Sequence, residues 1–181
     1  MVQYKIAVSY APQSTKKSLH DEGRQLLQML DPGGCTLIKT CGNGRPYFDD
    51  RHADFNISHS KNAAAVIWST AGRTAIDIQH IRECKNCLQI AKRAFSKNET
   101  FFLQIANSKD EMLQRFYKIW VLKEAAIKLQ GLSVFNITSI PSFVNDNMEI
   151  SVPYSKYILR KLQWKCGSIT EEYMLAGFVV S

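Results

Sequence analysis

Apolar side chains recur at two spacings along this 181-residue chain, and each change of spacing marks a change of element. Alternation in Lys5-Ile6-Ala7-Val8-Ser9 predicts a strand, and a helical period follows over 20–30. Pro32-Gly33-Gly34 stops that helix. Strand patterns return near 36–40, 54–58 and 63–68, the last an almost unbroken apolar run. Beyond Ala71-Gly72-Arg73 the series begins again, with a strand over 74–79. Helices are predicted over 86–94, 98–106 and 109–130, then strands over 142–144, 149–152, 157–165 and 172–180. Asn145-Asp146-Asn147 supplies a hairpin turn. Strands and helices mixed in this way predict an α+β chain of two similar halves, 1–72 and 73–181.

The long predicted helix breaks its own pattern. Leu113, Phe116, Tyr117 and Trp120 form an apolar stripe, and its continuation falls on Lys123, Glu124, Ile127 and Lys128. A carboxylate on a buried stripe is costly unless a charge or metal compensates it. The competing reading is an ordinary i,i+4 ion pair between Glu124 and Lys128 on a solvated face. A second acid stands in Ala75-Ile76-Asp77-Ile78-Gln79, where Asp77 and Gln79 share one strand face. Two oxygen-bearing side chains suit a hard divalent cation; a wet edge strand is the plainer alternative.

Composition narrows the partners without choosing one. The 45% hydrophobic and 22% charged content is that of an ordinary globular protein. A net charge of +7 and a pI near 9.2 favour an anionic partner. Basic residues neither form a block nor interleave with aromatics, which argues against nucleic acid. No apolar run approaches a membrane span, and five cysteines without a signal-peptide pattern point to reduced thiols in a cytoplasm. Cys84-Lys85-Asn86-Cys87 has zinc-like spacing but lacks a second such pair.

The elements take on a joint meaning in order. Gly44-Arg45-Pro46, Phe55-Asn56-Ile57-Ser58-His59-Ser60, Asp77, Phe95-Ser96-Lys97-Asn98-Glu99 and Trp120-Val121-Leu122-Lys123-Glu124-Ala125 resemble the signature of the 4'-phosphopantetheinyl transferases. The likeness is greatest to their longer, pseudo-dimeric, Sfp-like branch. It implies two similar α/β halves about a pseudo-twofold axis, with coenzyme A in the cleft between them. Residues 1–72 would bind the coenzyme, and 73–181 would carry the metal site and the catalytic helix.

The resemblance implies transfer of 4'-phosphopantetheine from coenzyme A to a serine of an acyl or peptidyl carrier protein, with release of adenosine 3',5'-bisphosphate. Magnesium would be held by Asp77 and Glu124, with Gln79 standing where relatives usually carry an acid. Glu124 would also accept the serine proton, and Lys128 and Lys123 would face the pyrophosphate. Ser58 and His59 would meet phosphate oxygens, with Arg45 toward the 3'-phosphate or adenine and Arg24 on the first helix. Lys16 and Lys17 have only charge to recommend them. Glu99 belongs to the motif, with a solvated helix position as its alternative. The helix carrying Lys92 and Arg93, with Lys97 beyond it, would dock the carrier. A monomeric, cytoplasmic enzyme is expected; the alternative is a non-catalytic module that binds coenzyme A or the carrier.

Overall fold

A computed structural model describes residues 4–12, 15–32, 38–42 and 44–181, the side chains of Lys16 and Lys17 excepted. The expected stop at Gly33 and Gly34, the start of the strand over 36–40, and Cys35 lie outside the described residues. The elements run β1 (Tyr4–Tyr10), α1 (Lys16–Leu30), β2 (Ile38–Thr40), β3 (Pro46–Phe48), β4 (Asp54–Ser60), β5 (Ala63–Ser69) and β6 (Arg73–His80). They continue with α2 (Cys87–Ala94), α3 (Lys97–Gln104), α4 (Lys109–Gln130), β7 (Lys156–Cys166) and β8 (Ile169–Val180). The predicted strands over 142–144 and 149–152 reduce to one bridge, Val144 to Ile150. Asn145 turns the chain there, its Oδ1 accepting from the backbone N–H groups of Asn147 and Glu149 at 3.0 Å each. Backbone that bonds to a turn side chain is not available for a ladder.

Two antiparallel three-stranded sheets form the body, ordered β1-β5-β4 and β6-β8-β7, with β2-β3 as a small separate hairpin. Strand alternation sorts their side chains into layers. Ala64, Val66 and Trp68 of β5 pack with Leu26 and Leu27 of α1. From the opposite face of β5, Ala63, Ala65 and Ile67 meet Ile76 and Ile78 of β6 and Tyr173, Leu175 and Val179 of β8. The outer face of the second sheet, through Ala75, Met174, Ala176 and Phe178, packs under Leu122, Ala125, Ala126 and Leu129 of α4. The order is helix, sheet, sheet, helix, which explains why β5 reads as a continuous apolar run: both its faces are covered.

Glycine sets the approach at two points. A Cβ on Gly23 of α1 would lie 2.6 Å from Ile57 Cγ2 of β4, so the helix sits against the strand only because none is there. Gly72, in the β5–β6 turn, has φ +141° and leaves room for the carbonyl of Val180.

The two sheets meet along a seam made by side chains. β4 and β6 run parallel, and each outward N–H of β6 finds an acceptor on β4. Thr74 N donates to Asp54 Oδ2 (2.6 Å), Ile76 N to Asn56 Oδ1 (3.0 Å), Ile78 N to Ser58 Oγ (3.3 Å) and His80 N to Ser60 Oγ (3.0 Å). The period-two series Asp54, Asn56, Ser58, Ser60 replaces a backbone ladder, so the edge of the second sheet is buried without orphan donors. At the other side of the sandwich Tyr10 of β1 stacks on Trp164 of β7, ring centroids 5.3 Å apart. Among the described residues no helix is long and apolar enough to cross a membrane.

Asn56→Ala removes the acceptor of a fully buried N–H, that of Ile76. The expected loss is about 1–3 kcal/mol of stability, read from the urea unfolding midpoint at unchanged m-value. A midpoint equal to the parent's would show that the seam does not depend on this bond.

Candidate functional site

Helix α4 brings the charged stripe to the seam. Its start is fixed by Ser108, whose side chain accepts from Glu111 N, with Asp110 and Glu111 in the first turn. Its end is fixed by Gly131 at φ 70°, a left-handed cap. Between these ends Leu122, Ala125, Ala126 and Leu129 seat the helix on the second sheet. Glu124 and Lys128, one turn apart, are thereby held over the polar positions of β6.

Asp77 is the centre of the cluster, with only 1% of its surface exposed. It lies on the same β6 face as Ala75, which packs under α4. Its Oδ1 accepts from Lys128 Nζ at 2.7 Å and from Ser58 Oγ at 2.9 Å. Its Oδ2 accepts from Gln79 Nε2 at 3.2 Å. Lys128 Nζ also donates to Ser58 Oγ (2.9 Å) and to the carbonyl of Ile76 (3.1 Å). Glu124 completes the group from the helix. Burial first, and the charge of Asp77 second, push its carboxyl above the ordinary range, while Lys128 pulls it the other way. The structure thus gathers Asp77, Gln79, Glu124, Lys128 and Ser58.

Two carboxylates are hard oxygen donors of the kind magnesium takes, and two acids sharing one lysine leave room for a further positive charge. The Gln79 amide turns its nitrogen to Asp77 and its oxygen toward Ser60. No set of three or more His, Cys, Asp or Glu side chains placed for a metal occurs among the described residues, Cys84 and Cys87 included.

Lys123 turns away from this cluster. It is 1% exposed, and its Nζ lies 3.1 Å from Glu99 Oε2 and donates to the carbonyl of Ile140 at 3.1 Å. Glu99, entirely buried, also accepts from Ser96 N (2.7 Å) and Phe143 N (2.8 Å), while Ser96 Oγ caps α3 by accepting from Glu99 N. The solvated position considered for Glu99 is thereby corrected: it is a buried acid that joins α3, α4 and the 140–143 segment. The expectation that Lys123 faces a pyrophosphate finds no counterpart in this geometry. Adjacent residues on a helix point about 100° apart, so Lys123 and Glu124 cannot serve the same place.

Arg45 is nearer but differently employed. It donates to Asp54 Oδ2 (2.6 Å) and to the carbonyls of Phe55 (3.2 Å), Thr74 (2.7 Å) and Lys128 (3.0 Å). It ties both sheets to the end of α4. His59 and Arg24 are exposed, His59 beside Ser58 on β4 and Arg24 in a groove of about 350 Å³ with Gln25, Gln28 and Ile38. Neither joins the bonds around Asp77. Two hollows border the cluster. One of about 840 Å³ is lined by Gln79, His80, Arg82, Tyr117 and Trp120 among others. The other, about 200 Å³, is lined by Arg45, Asn56, Lys128 and Leu132 with two glycines. Trp120 stacks on Phe116 at 5.7 Å, so it serves both the core and the larger hollow.

Sequence reasoning did not assign the roles of Asp54, Asn56 and Ser60 in the seam. Their period-two spacing of short polar side chains on an otherwise apolar strand was the available signal.

A family model for the 4'-phosphopantetheinyl transferase superfamily matches residues 73–177. The 4'-phosphopantetheinyl transferase AcpT of Escherichia coli strain K12 is 32% identical over 143 residues, 78% of this chain and 72% of the relative. AcpT of Salmonella typhimurium is 30% identical over 146 residues, 80% of this chain and 74% of its own. The 4'-phosphopantetheinyl transferase Sfp of Bacillus subtilis is 39% identical over 89 residues, 49% of this chain and 38% of its own.

One stability measurement probes the cluster and a second probes the buried pair behind it. Since Glu124 binds its proton more tightly when folded, the folded state holds more protons than the unfolded one above about pH 4.5. Stability contributed by Glu124 is therefore lost as pH rises from there through its folded value. In metal-free buffer Glu124→Gln is expected to melt higher than the parent at neutral pH, with the gap closing toward pH 4. A gap that does not change with pH removes the linkage. Lys123→Met should cost about 3–5 kcal/mol by leaving the buried Glu99 without its charge partner, and Lys123→Met with Glu99→Gln should recover part of that loss. Additive losses in urea titrations would show the pair to be uncoupled.

Proposed function

Because the chain belongs to the 4'-phosphopantetheinyl transferase superfamily, we propose that it transfers the 4'-phosphopantetheine arm of coenzyme A to a serine of an acyl or peptidyl carrier protein. The observation that carries this reading is the meeting of Asp77, Glu124 and Lys128 where the two sheets join. In this reading residues 1–72 hold the coenzyme and residues 73–181 supply the acids. Each half is a three-stranded antiparallel sheet backed by a helix, the basis for relating them by a pseudo-twofold axis.

Asp77 and Glu124 would hold magnesium, with Gln79 as a neutral third donor once its amide oxygen turns from Ser60, and the ion would neutralise charge on the diphosphate. The carrier serine oxygen forms a bond to the β-phosphorus of coenzyme A. The bond from that phosphorus to the bridging oxygen breaks, and its electron pair leaves with adenosine 3',5'-bisphosphate. Glu124 accepts the serine proton, and its elevated affinity for a proton suits it to that role. Lys128 supplies a point charge beside the phosphates, and Ser58 positions it. Arg45 acts at one remove, fixing the carbonyl end of α4. His59 and Arg24, both exposed, are left to the outer phosphate of the coenzyme. The exposed Lys92 and Arg93 of α2, with Lys97, offer a basic face to an acidic carrier. One chain carries both sides of the cleft, so the reading is of a monomer.

Incubation with coenzyme A, magnesium and an apo carrier protein should add the mass of one phosphopantetheine to the carrier. Glu124→Ala should lower that rate on the order of a hundredfold or more. Gln79→Glu should reduce the magnesium concentration giving half-maximal rate, since it adds a carboxylate beside Asp77. A carrier that gains no mass, or a well-folded Glu124→Ala protein with parental turnover, would overturn the assignment.

A further inference from the structure

Two thiols stand beside the 840 Å³ hollow and have no part in the transfer. Cys84 is half-buried and lines the hollow together with Gln79 and Trp120. Three residues on, Cys87 opens α2 and is buried. Both are reduced, and they pack in the same apolar cluster. Burial first, and the neighbouring Cys84 thiol second, push the Cys87 thiol up to about 12. Cys87 is therefore the slower nucleophile, its attack the rate-limiting step of any exchange, and the accessible member of the pair is Cys84. The hollow around it mixes charge and apolar surface: Lys61 and Arg82 on one hand, Ile90, Phe116 and Trp120 on the other. Cys41 and Cys166, by contrast, are exposed and do not line it.

We propose that Cys84 and Cys87 form a thiol–disulfide exchange site that takes low-molecular-weight disulfides carrying an anionic group, of which coenzyme A disulfide is the representative. The choice of ligand rests on the proposed function, since Gln79 of the acidic cluster lines the same hollow as Cys84. Cys84, after losing its proton to water, attacks one sulfur of the disulfide. A bond forms between Cys84 Sγ and that sulfur, the original S–S bond breaks, and the first thiolate leaves and takes up a proton. Cys87 then gives its proton to solvent and attacks Cys84 Sγ, which releases the second thiolate. Two protein thiols are oxidised to one disulfide while one small disulfide is reduced to two thiols. A Cys-x-x-Cys pair at the start of a helix is a spacing at which such a bridge forms. The first adduct fills the hollow beside Gln79, so an oxidising thiol pool would close the site with the coenzyme's own arm.

The chain carries its own means of reading the result, because Lys85 lies between the two cysteines and trypsin separates them. Digestion without reductant places Cys84 on peptide 83–85 and Cys87 on peptide 86–92. After treatment with coenzyme A disulfide, the parent protein should show these two peptides joined. Cys87→Ser should instead retain one coenzyme A on peptide 83–85, and Cys84→Ser should show neither product. Glutathione disulfide, shorter and without a diphosphate, should react more slowly at Cys84. Adducts confined to Cys41 and Cys166, or no joined peptides from the parent, overturn the exchange site. Equal rates with the two disulfides overturn the ligand assignment. Transfer to a carrier, assayed with reductant present, reports separately on the acidic cluster, since the reduced pair takes no part in it.

Discussion

The buried edge of β6, unpaired by any strand backbone, is the constraint on which the rest of the molecule depends. A sheet edge brought into the interior must have its N–H and C=O groups met, and here none of the partners is another strand's backbone. Side chains of β4 take the four N–H groups; Arg45 takes the carbonyl of Thr74 and Lys128 that of Ile76. The same lysine then reaches Asp77. The joint between the sheets and the acidic cluster are therefore one network, and the cluster's position is fixed by the bonds that close the fold.

That network explains a division of labour on α4. Lys123 and Glu124 are neighbours in sequence, yet one points into the core against Glu99 and the other toward Asp77. The inward pair fixes how α4 sits against α3 and the 140–143 segment, and the outward acid is left short of positive charge. Core packing and the acidic cluster thus draw on adjacent residues of one turn. A buried pair such as Lys123 and Glu99 adds little net stability over an apolar replacement, but it penalises any packing in which one partner is missing.

Much of this was readable in the chain. The bounds of α4 follow from its apolar period and its caps, and β5 was evident as an unbroken apolar run. Asp77 and Glu124 stood out as acids in apolar elements, for the reason that burying them requires a partner. The partner's identity was the illegible part. Lys123 and Lys128 have the same side chain and comparable motif positions, and only the rotation of the helix separates a structural ammonium from one beside Asp77. Arg45 and Asn56 were visible as motif residues, but their bonds cross 83 and 20 positions of sequence, which no local period reports. The short β3 escaped notice because three residues establish no period.

Lys128 gives the site an internal counterion. While its ammonium rests on Asp77, that aspartate's charge is already answered, and a divalent cation must compete with a tethered one. Under the proposed function, a cation that displaced the lysine would free its charge for a phosphate, and a phosphate that drew the lysine away would uncover the aspartate. Each ligand would then favour the other through a single movable charge. By thermodynamic linkage the two couplings would be equal.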